Sequence, residues 1–319
     1  MRAADDPGLQ WLLRDGDPAI ARLARRDLLG EDVDLDGALA SPLVRGLLAE
    51  PRPADARRAH PYSKWTGAHW RLVSLVELGV PAVHGPALAL ADEVLDCWAQ
   101  PRRLAQVPVI DGRARRCASQ EGNAVAVACR LGLHTDPRVR TLVEHLLTWQ
   151  WPDGGWNCDK HPAASHSSFH ETLPPLWGLA EHADATGDPR SRRAADAAAE
   201  LLLAHEVAFR RTTGESIHSS FLEPHVPPFW HYDALQALVV LGRAGHGQDV
   251  RTARVRRLLA ARRRPDGRWT AARRWWRPPG SSGSNVEAVD WGGAADQLVT
   301  LNMLRVGAGA RQATSTGSR

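Results

Sequence analysis

Carboxylate and imidazole side chains stand just before or within the first turn of several apolar segments of the chain. Asp233 follows His231 in the run FWHYDALQALVVLG, where a carboxyl group beside an imidazole could transfer a proton in an enclosed pocket. Glu121 and Asp290 stand at similar places before other apolar segments and are further candidate catalytic residues. The helix dipole alone also favours an acid in a first turn, so both interpretations of Asp233 stay open.

A zinc site is the second kind of chemistry that these residue types allow. Zinc takes three or four nitrogen, sulfur or oxygen ligands, and His170, His231, Cys117 and Cys158 all lie near predicted helix starts. Glu171 is a further possible ligand. The sequence contains no HExxH motif and no CxxC pair that would fix the spacing of such ligands. Each histidine could equally cap a helix or bond a buried carbonyl, so a site with zinc and a site without metal are alternatives.

Tryptophan dominates the aromatic residues, with 13 Trp against 4 Phe and 2 Tyr. A tryptophan face attracts cations strongly, so aromatic side chains near the helix starts could line a cavity that stabilises a cationic intermediate. The same side chains could equally be packed in the core. The predicted substrate-binding residues are Trp65, His69, Trp70, Trp156, His166, Trp230, Tyr232 and Trp291.

Five apolar segments share one form, in which a polar or aromatic start precedes an apolar helix. They cover residues 64–79, 117–132, 167–179, 229–242 and 289–307. Amphipathic helices with charged faces separate them. Helices that are apolar nearly all round belong inside a protein, and half-charged ones belong outside. This alternation predicts an all-α fold, a single α/α toroid of about five to six helical hairpins.

Three parts of the chain are predicted from this pattern. Residues 1–50 form a helical extension packed on the ring, residues 51–307 form the toroid, and residues 308–319 form a loose tail without apolar periodicity.

The segment QWPDGGW, from Gln150 to Trp156, closes one outer helix with a tight Pro-Asp-Gly-Gly turn. It resembles the QxxxGxW repeat of squalene–hopene cyclases and oxidosqualene cyclases. A partial copy, RPDGRW, runs from Arg264 to Trp269 and lacks the glutamine. Over residues 60–307 the chain therefore resembles the terpenoid cyclase and protein prenyltransferase superfamily, which implies the toroid fold. The DxDD motif that protonates the substrate of squalene–hopene cyclases is missing from this sequence.

The resemblance also implies two ligand patterns for zinc. Protein prenyltransferase β subunits bind zinc through an Asp, a Cys and a His, and pattern matching places Ser168, His170 and His231 at those positions. Lanthionine cyclases use two Cys and one His, which corresponds here to Cys117, Cys158 and His170.

Three functions follow as alternatives. The first is a terpene-cyclase-like enzyme that acts on an isoprenoid or other apolar substrate by acid–base chemistry. The second is a zinc-dependent enzyme that activates a thiol or water, and the third is a non-catalytic binding scaffold.

Composition argues against several other classes. The net charge of +4 over 319 residues is too small to indicate nucleic-acid binding. Arginines concentrate in residues 251–277, which predicts an exposed helix or, alternatively, a surface for anionic lipid at a membrane. The sequence contains no run of about 18 apolar residues, so it predicts no transmembrane helix. The first residues lack the pattern of a signal peptide. A cytoplasmic protein with a small apolar partner is expected.

Overall fold

The computed structural model describes residues 5–49 and 60–309. These residues form 13 α-helices and one small antiparallel hairpin, so the predicted all-α class is confirmed. Most of the predicted tail and the predicted boundary at residues 50–51 lie outside the described residues. None of the helices in the described ranges has the length and apolar character needed to cross a membrane.

Along the chain, amphipathic helices, called outer here, alternate with more fully buried helices, called inner here. The outer helices are α1 (Pro7–Asp15), α3 (Pro42–Leu48), α5 (Gly85–Trp98), α8 (Pro137–Trp149), α10 (Pro189–Ala204) and α12 (Ala253–Ala260). The inner helices are α2 (Pro18–Ala24), α4 (Ala68–Glu77), α7 (Ser119–Arg130), α9 (Phe169–Thr186), α11 (Ala234–Arg243) and α13 (Ala294–Ala308). A π-helical turn (Arg25–Leu29) extends α2.

The connections contain the remaining short elements. These are helix α6 (Pro101–Ala105), strands β1 (Val109–Ile110) and β2 (Arg113–Ala114), and 3-10 turns at Leu35–Ala40, Ser219–Leu222 and Val250–Thr252.

Burial distinguishes the two layers. Every residue from Ala68 to Val76 of α4 is buried, and α7 and α11 are almost as fully enclosed. In contrast, α8 buries one face through Val139, Leu142 and Leu146 and keeps its other face polar. The two kinds of helix therefore follow the apolar and amphipathic patterns of the sequence.

Inner helices pack against one another in chain order. Helix α4 contacts α7, α7 contacts α9, α9 contacts α11, and α11 contacts α13, while α5, α8 and α10 each pack on an inner helix. Helix α13 also contacts α1 and α2, and α3 contacts α4. Residues 5–49, which were predicted to be an extension, therefore lie between the last inner helix and α4. The closed toroid itself stays a prediction.

Buried charges collect where the inner helices end. Glu77 of α4 and Arg243 of α11 form an ion pair with a 2.6 Å Nη1–Oε1 distance. Arg305 of α13 pairs with Asp27, and both side chains are buried. Arginines at these positions complement the negative ends of the helix dipoles. Charge pairs therefore occupy the region where the inner helices end. The candidate site residues lie at the opposite side, where the inner helices begin.

Candidate functional site

Two thiols and a carboxylate meet where α7 and α9 begin. Cys117 lies two residues before α7, Cys158 lies in the loop before α9, and Glu171 lies in the first turn of α9. One ligand atom from each residue lies within 4.8 Å of the other two, and all three residues are half-buried. This group, called here the thiol–carboxylate cluster, could hold a metal ion.

Backbone pairing between two loops positions the cysteines. The backbone N–H of Arg116 donates to the carbonyl of Asn157 at 3.1 Å, which ties together the residues that precede the two thiols. Oε2 of Glu171 accepts a 3.0 Å hydrogen bond from the backbone N–H of Ser119. Its Oε1 lies 3.6 Å from Sγ of Cys158. One carboxylate oxygen therefore caps α7, and the other faces the thiols.

The two thiols have different electrostatic environments. Hydrogen bonding within the pair lowers the pKa of Cys117 and raises the pKa of Cys158, and burial raises the latter further. Burial also raises the pKa of Glu171. Cys117 is therefore the thiol that loses its proton more readily, and loss of the proton is what metal ligation requires of a cysteine.

Glu121, a predicted catalytic residue, is fully buried beside the cluster. Arg116 donates to its Oε1, whereas its Oε2 has no hydrogen-bond partner among the described residues. Burial raises the pKa of Glu121. The guanidinium of Arg116 opposes this shift without cancelling it.

A cavity lies between inner helices α4, α7, α9, α11 and α13. Its empty space is about 720 Å³ with its open mouth included. The wall is mostly apolar and has a few polar groups, which is typical of small-molecule sites. The apolar wall includes Val73, Leu173, Trp177, Val239, Val240 and Leu298, and the end where the helices begin includes His170, His225, His231 and Trp230.

His231 lies in an aromatic stack at this cavity. Its ring centroid is 3.7 Å from that of Trp230 and 3.8 Å from that of Trp275. Burial, together with nearby positive groups, lowers the pKa of His231 to about 3. The imidazole is therefore neutral at physiological pH and serves as part of the aromatic wall.

Asp233 is buried at the start of α11 and has two partners. Its Oδ1 accepts a 2.9 Å hydrogen bond from the backbone N–H of Gln236, so it caps the helix. Its Oδ2 lies 2.8 Å from Nδ1 of His225. His231 was predicted to orient Asp233, and His225 occupies that place instead. The catalytic role of Asp233 as an acid stays a prediction.

The predicted metal ligands fall into two sets among the described residues. Cys117 and Cys158 are brought together, whereas His170 and His231 lie outside the cluster. Nδ1 of His170 accepts a 2.8 Å hydrogen bond from the backbone N–H of Tyr232. Successive helix residues are rotated by about 100°, which is why Glu171 reaches the thiols while its neighbour His170 lines the cavity.

The remaining predicted site residues occupy several environments. Of the predicted substrate-binding residues, Trp230 and Tyr232 line the cavity. The others are distributed between buried positions at Trp65, His69, Trp70, Trp156 and Trp291 and an exposed position at His166. Asp290, a predicted catalytic residue, is exposed and accepts a hydrogen bond from the backbone N–H of Gly292. The sequence places His225 among the polar residues near the inner helix starts, but it assigns this residue no specific role, because the irregular connection around it does not indicate where its side chain points.

Family models and curated proteins were compared with the chain. No protein-family model matches the chain, and no curated protein is significantly similar to it. Conclusions about function therefore depend on the geometry of the thiol–carboxylate cluster and of the cavity.

Proposed function

We propose that the protein is a zinc-dependent enzyme in which Cys117, Cys158 and Glu171 hold the metal. The observation that carries this proposal is the convergence of two thiols and one carboxylate within 4.8 Å at the starts of α7 and α9. Thiolates and carboxylates are ligands that zinc takes. Magnesium and calcium prefer oxygen ligands alone, so the two sulfur atoms favour zinc.

The number of ligands supports a catalytic site over a structural one. Structural zinc sites usually have four protein ligands, whereas catalytic sites have three and keep one position open. When bound, zinc acts as a Lewis acid that activates a thiol or water. The three ligand residues are half-buried, so a small molecule can reach the open position from solvent.

Neighbouring residues supply the remaining functions of the proposed site. Glu121 is buried beside the cluster, and its raised pKa makes it our candidate for proton exchange with the reacting group. His170 faces the cavity from the position next to Glu171. None of the three cluster residues lines the cavity, so the proposed metal site does not depend on it.

Metal content tests the proposal. We expect protein purified without chelators and without a histidine tag to contain about one zinc ion per chain, measured by mass spectrometry. The double variant Cys117→Ser/Cys158→Ser should lose that zinc. Cys97→Ser is the matched control because Cys97 is also a half-buried free thiol and contacts His60 outside the cluster. Absence of stoichiometric metal, or its retention in the double variant, would contradict the proposal.

A further inference from the structure

The pair formed by His225 and Asp233 has the geometry of a proton-transfer dyad. Nδ1 of His225 lies 2.8 Å from Oδ2 of Asp233, and the two side chains are 2% and 1% exposed. A carboxylate accepts hydrogen bonds only, so Nδ1 carries the proton and Nε2 is the basic nitrogen. We propose that His225, positioned by Asp233, moves a proton of an apolar substrate in the cavity between the inner helices.

The basic nitrogen of His225 is within reach of the cavity. His225 and Gln236 both line it, and Nε2 of His225 lies 3.3 Å from the side-chain nitrogen of Gln236. The amide N–H of Gln236 therefore donates to Nε2. Gln236 is half-buried whereas His225 is buried, so a substrate group that carries a proton can take the place of this amide.

Helix α11 holds Asp233, the second residue of the dyad, in position. Oδ1 of Asp233 accepts from the backbone N–H of Gln236 at 2.9 Å, and Oδ2 also accepts from the backbone N–H of His225 at 3.4 Å. The positive end of the helix dipole stabilises the carboxylate. Asp233 is thereby a positioning residue that holds the imidazole in one tautomer, as the carboxylate does in serine protease triads.

A second histidine–aspartate pair in the same chain differs from the His225–Asp233 pair in its exposure to solvent. Nε2 of His246 lies 2.9 Å from Oδ1 of Asp196, but these side chains are 30% and 45% exposed, and neither of them lines the cavity. Water therefore reaches the His246–Asp196 pair, whereas the His225–Asp233 pair is enclosed.

The surroundings of His225 define the chemical class of the substrate. The ring of Phe229 lies 4.9 Å away and the neutral ring of His231 lies 6.3 Å away. The ion pair of Glu77 and Arg243 lines the cavity at its opposite end, where the inner helices end. An uncharged molecule fits best, with an apolar or unsaturated body and a weakly acidic O–H, or a C–H beside a carbonyl group. This site is separate from the thiol–carboxylate cluster and needs no zinc.

Nitrobenzisoxazole is a suitable probe because a base alone opens its ring. The carbon-bound proton moves to Nε2 of His225, the C–H electron pair forms the nitrile, and the N–O bond breaks to leave a coloured phenolate. The proton then passes to water and the base is restored, so the step needs no co-reactant. The reaction is followed by absorbance with a chelator present, so failure of this proposal and failure of the zinc proposal are distinguishable.

We expect the wild-type chain to accelerate ring opening, and His225→Gln to reduce the rate about 10²-fold. Asp233→Asn should reduce it similarly, because asparagine can still cap α11 but favours the wrong tautomer of His225. His246→Gln is the matched control and should leave the rate unchanged. Val240→Trp should lower the rate by filling the cavity while the dyad stays intact.

Two results would overturn the inference. One is a wild-type rate equal to that of a His225→Gln variant that has the wild-type melting temperature. The other is failure of the probe to bind, seen as unchanged tryptophan fluorescence together with no turnover. That result would exclude this class of molecule from the cavity.

Discussion

Trp156 and Trp269 occupy equivalent positions in two copies of one structural unit. The indole N–H of Trp156 donates to the carbonyl of Leu146 at 3.0 Å, and that of Trp269 donates to the carbonyl of Leu259 at 3.0 Å. In both cases the acceptor lies ten residues earlier, near the end of an outer helix. The tight turn after α8 and the turn after α12 are therefore copies, although their sequences differ.

The second copy has an arginine where the first has its glutamine. Nε2 of Gln150 donates to the carbonyl of Gly154 at 2.7 Å, and Nε of Arg263 donates to the carbonyl of Gly267 at 3.0 Å. The sequence motif predicts that the partial copy begins one residue later, at Arg264. The guanidinium of Arg263 thus takes the place of the Gln150 side-chain amide. The sequence motif alone does not indicate this replacement.

Gln150→Leu should destabilise the fold through this turn. The side chain also donates to the carbonyl of Ala194 in α10 at 2.8 Å, so the substitution removes one hydrogen bond within the turn and one that joins the turn to α10. We expect a free energy of unfolding lower by about 1–3 kcal/mol, measured by urea denaturation. Gln106→Leu, at an exposed position, is the control, and an equal loss in both variants would contradict this role of Gln150.

The helices could be predicted from the sequence because their signals are local. The apolar run after Asp233 and the Pro-Asp-Gly turn after Gln150 each depend on residues close together in the chain. The proximity of Cys117 and Cys158 was also predicted, because both were candidate ligands of one zinc site near helix starts.

The direction of individual side chains could not be predicted in the same way. His170 and Glu171 were both possible metal ligands, and which of the two reaches the thiols depends on one step of about 100° around a helix. The partner of Asp233 was missed for another reason. His225 lies in an irregular connection, and its approach to Asp233 depends on tertiary packing that no sequence periodicity records.

The ion pair of Glu77 and Arg243 should contribute strongly to stability. Burial alone would raise the pKa of Glu77, but Arg243 offsets this effect and the pKa lies below its ordinary value. Glu77→Leu leaves the guanidinium of Arg243 buried without this carboxylate, and we expect a loss of about 3–5 kcal/mol in the free energy of unfolding.

The exposed pair of Glu144 and Arg190, with side chains 49% and 51% exposed, provides the comparison. Glu144→Leu should produce no resolvable change, because solvent screens exposed ion pairs. Urea denaturation of both variants measures the difference. Equal stability of the Glu77 and Glu144 variants would rule out a dominant role for the buried pair.

Glu287 should make stability depend on pH. Burial raises the pKa of Glu287 from 4.5 to about 7, so between these values the folded chain holds a proton that the unfolded chain releases. The free energy of unfolding should therefore fall as pH rises through this window and stay low above it. Glu287→Gln should remove this contribution, making the variant more stable than wild type at about pH 8 by up to about 3 kcal/mol.

Denaturation of both proteins at about pH 4 and pH 8 measures the effect of Glu287. Glu31→Gln, at an exposed glutamate, should leave the pH dependence of wild type unchanged. A Glu287→Gln variant whose stability differs from that of wild type by the same amount at both pH values would contradict the raised pKa.

Glu171→Gln separates the two functions of this side chain. The amide oxygen of glutamine can still accept the hydrogen bond from the backbone N–H of Ser119, so the melting temperature of the metal-free protein should change little. Zinc loses its carboxylate ligand, and we expect affinity at least about tenfold weaker, because even loss of an outer partner commonly has that effect. Calorimetric titration with zinc gives both quantities, and unchanged affinity would remove Glu171 from the ligand set.

Titration with Co²⁺ tests the central claim most directly, because sulfur-to-cobalt charge-transfer absorption reports thiolate ligands themselves. The proposed site predicts a band for the wild-type chain that saturates at about one ion per chain. Cys117→Ser and Cys158→Ser should each retain roughly half of its intensity, since one of two sulfur ligands remains, and Cys97→Ser should match wild type. A wild-type protein without this band, or one whose band survives loss of both Cys117 and Cys158, would contradict the account.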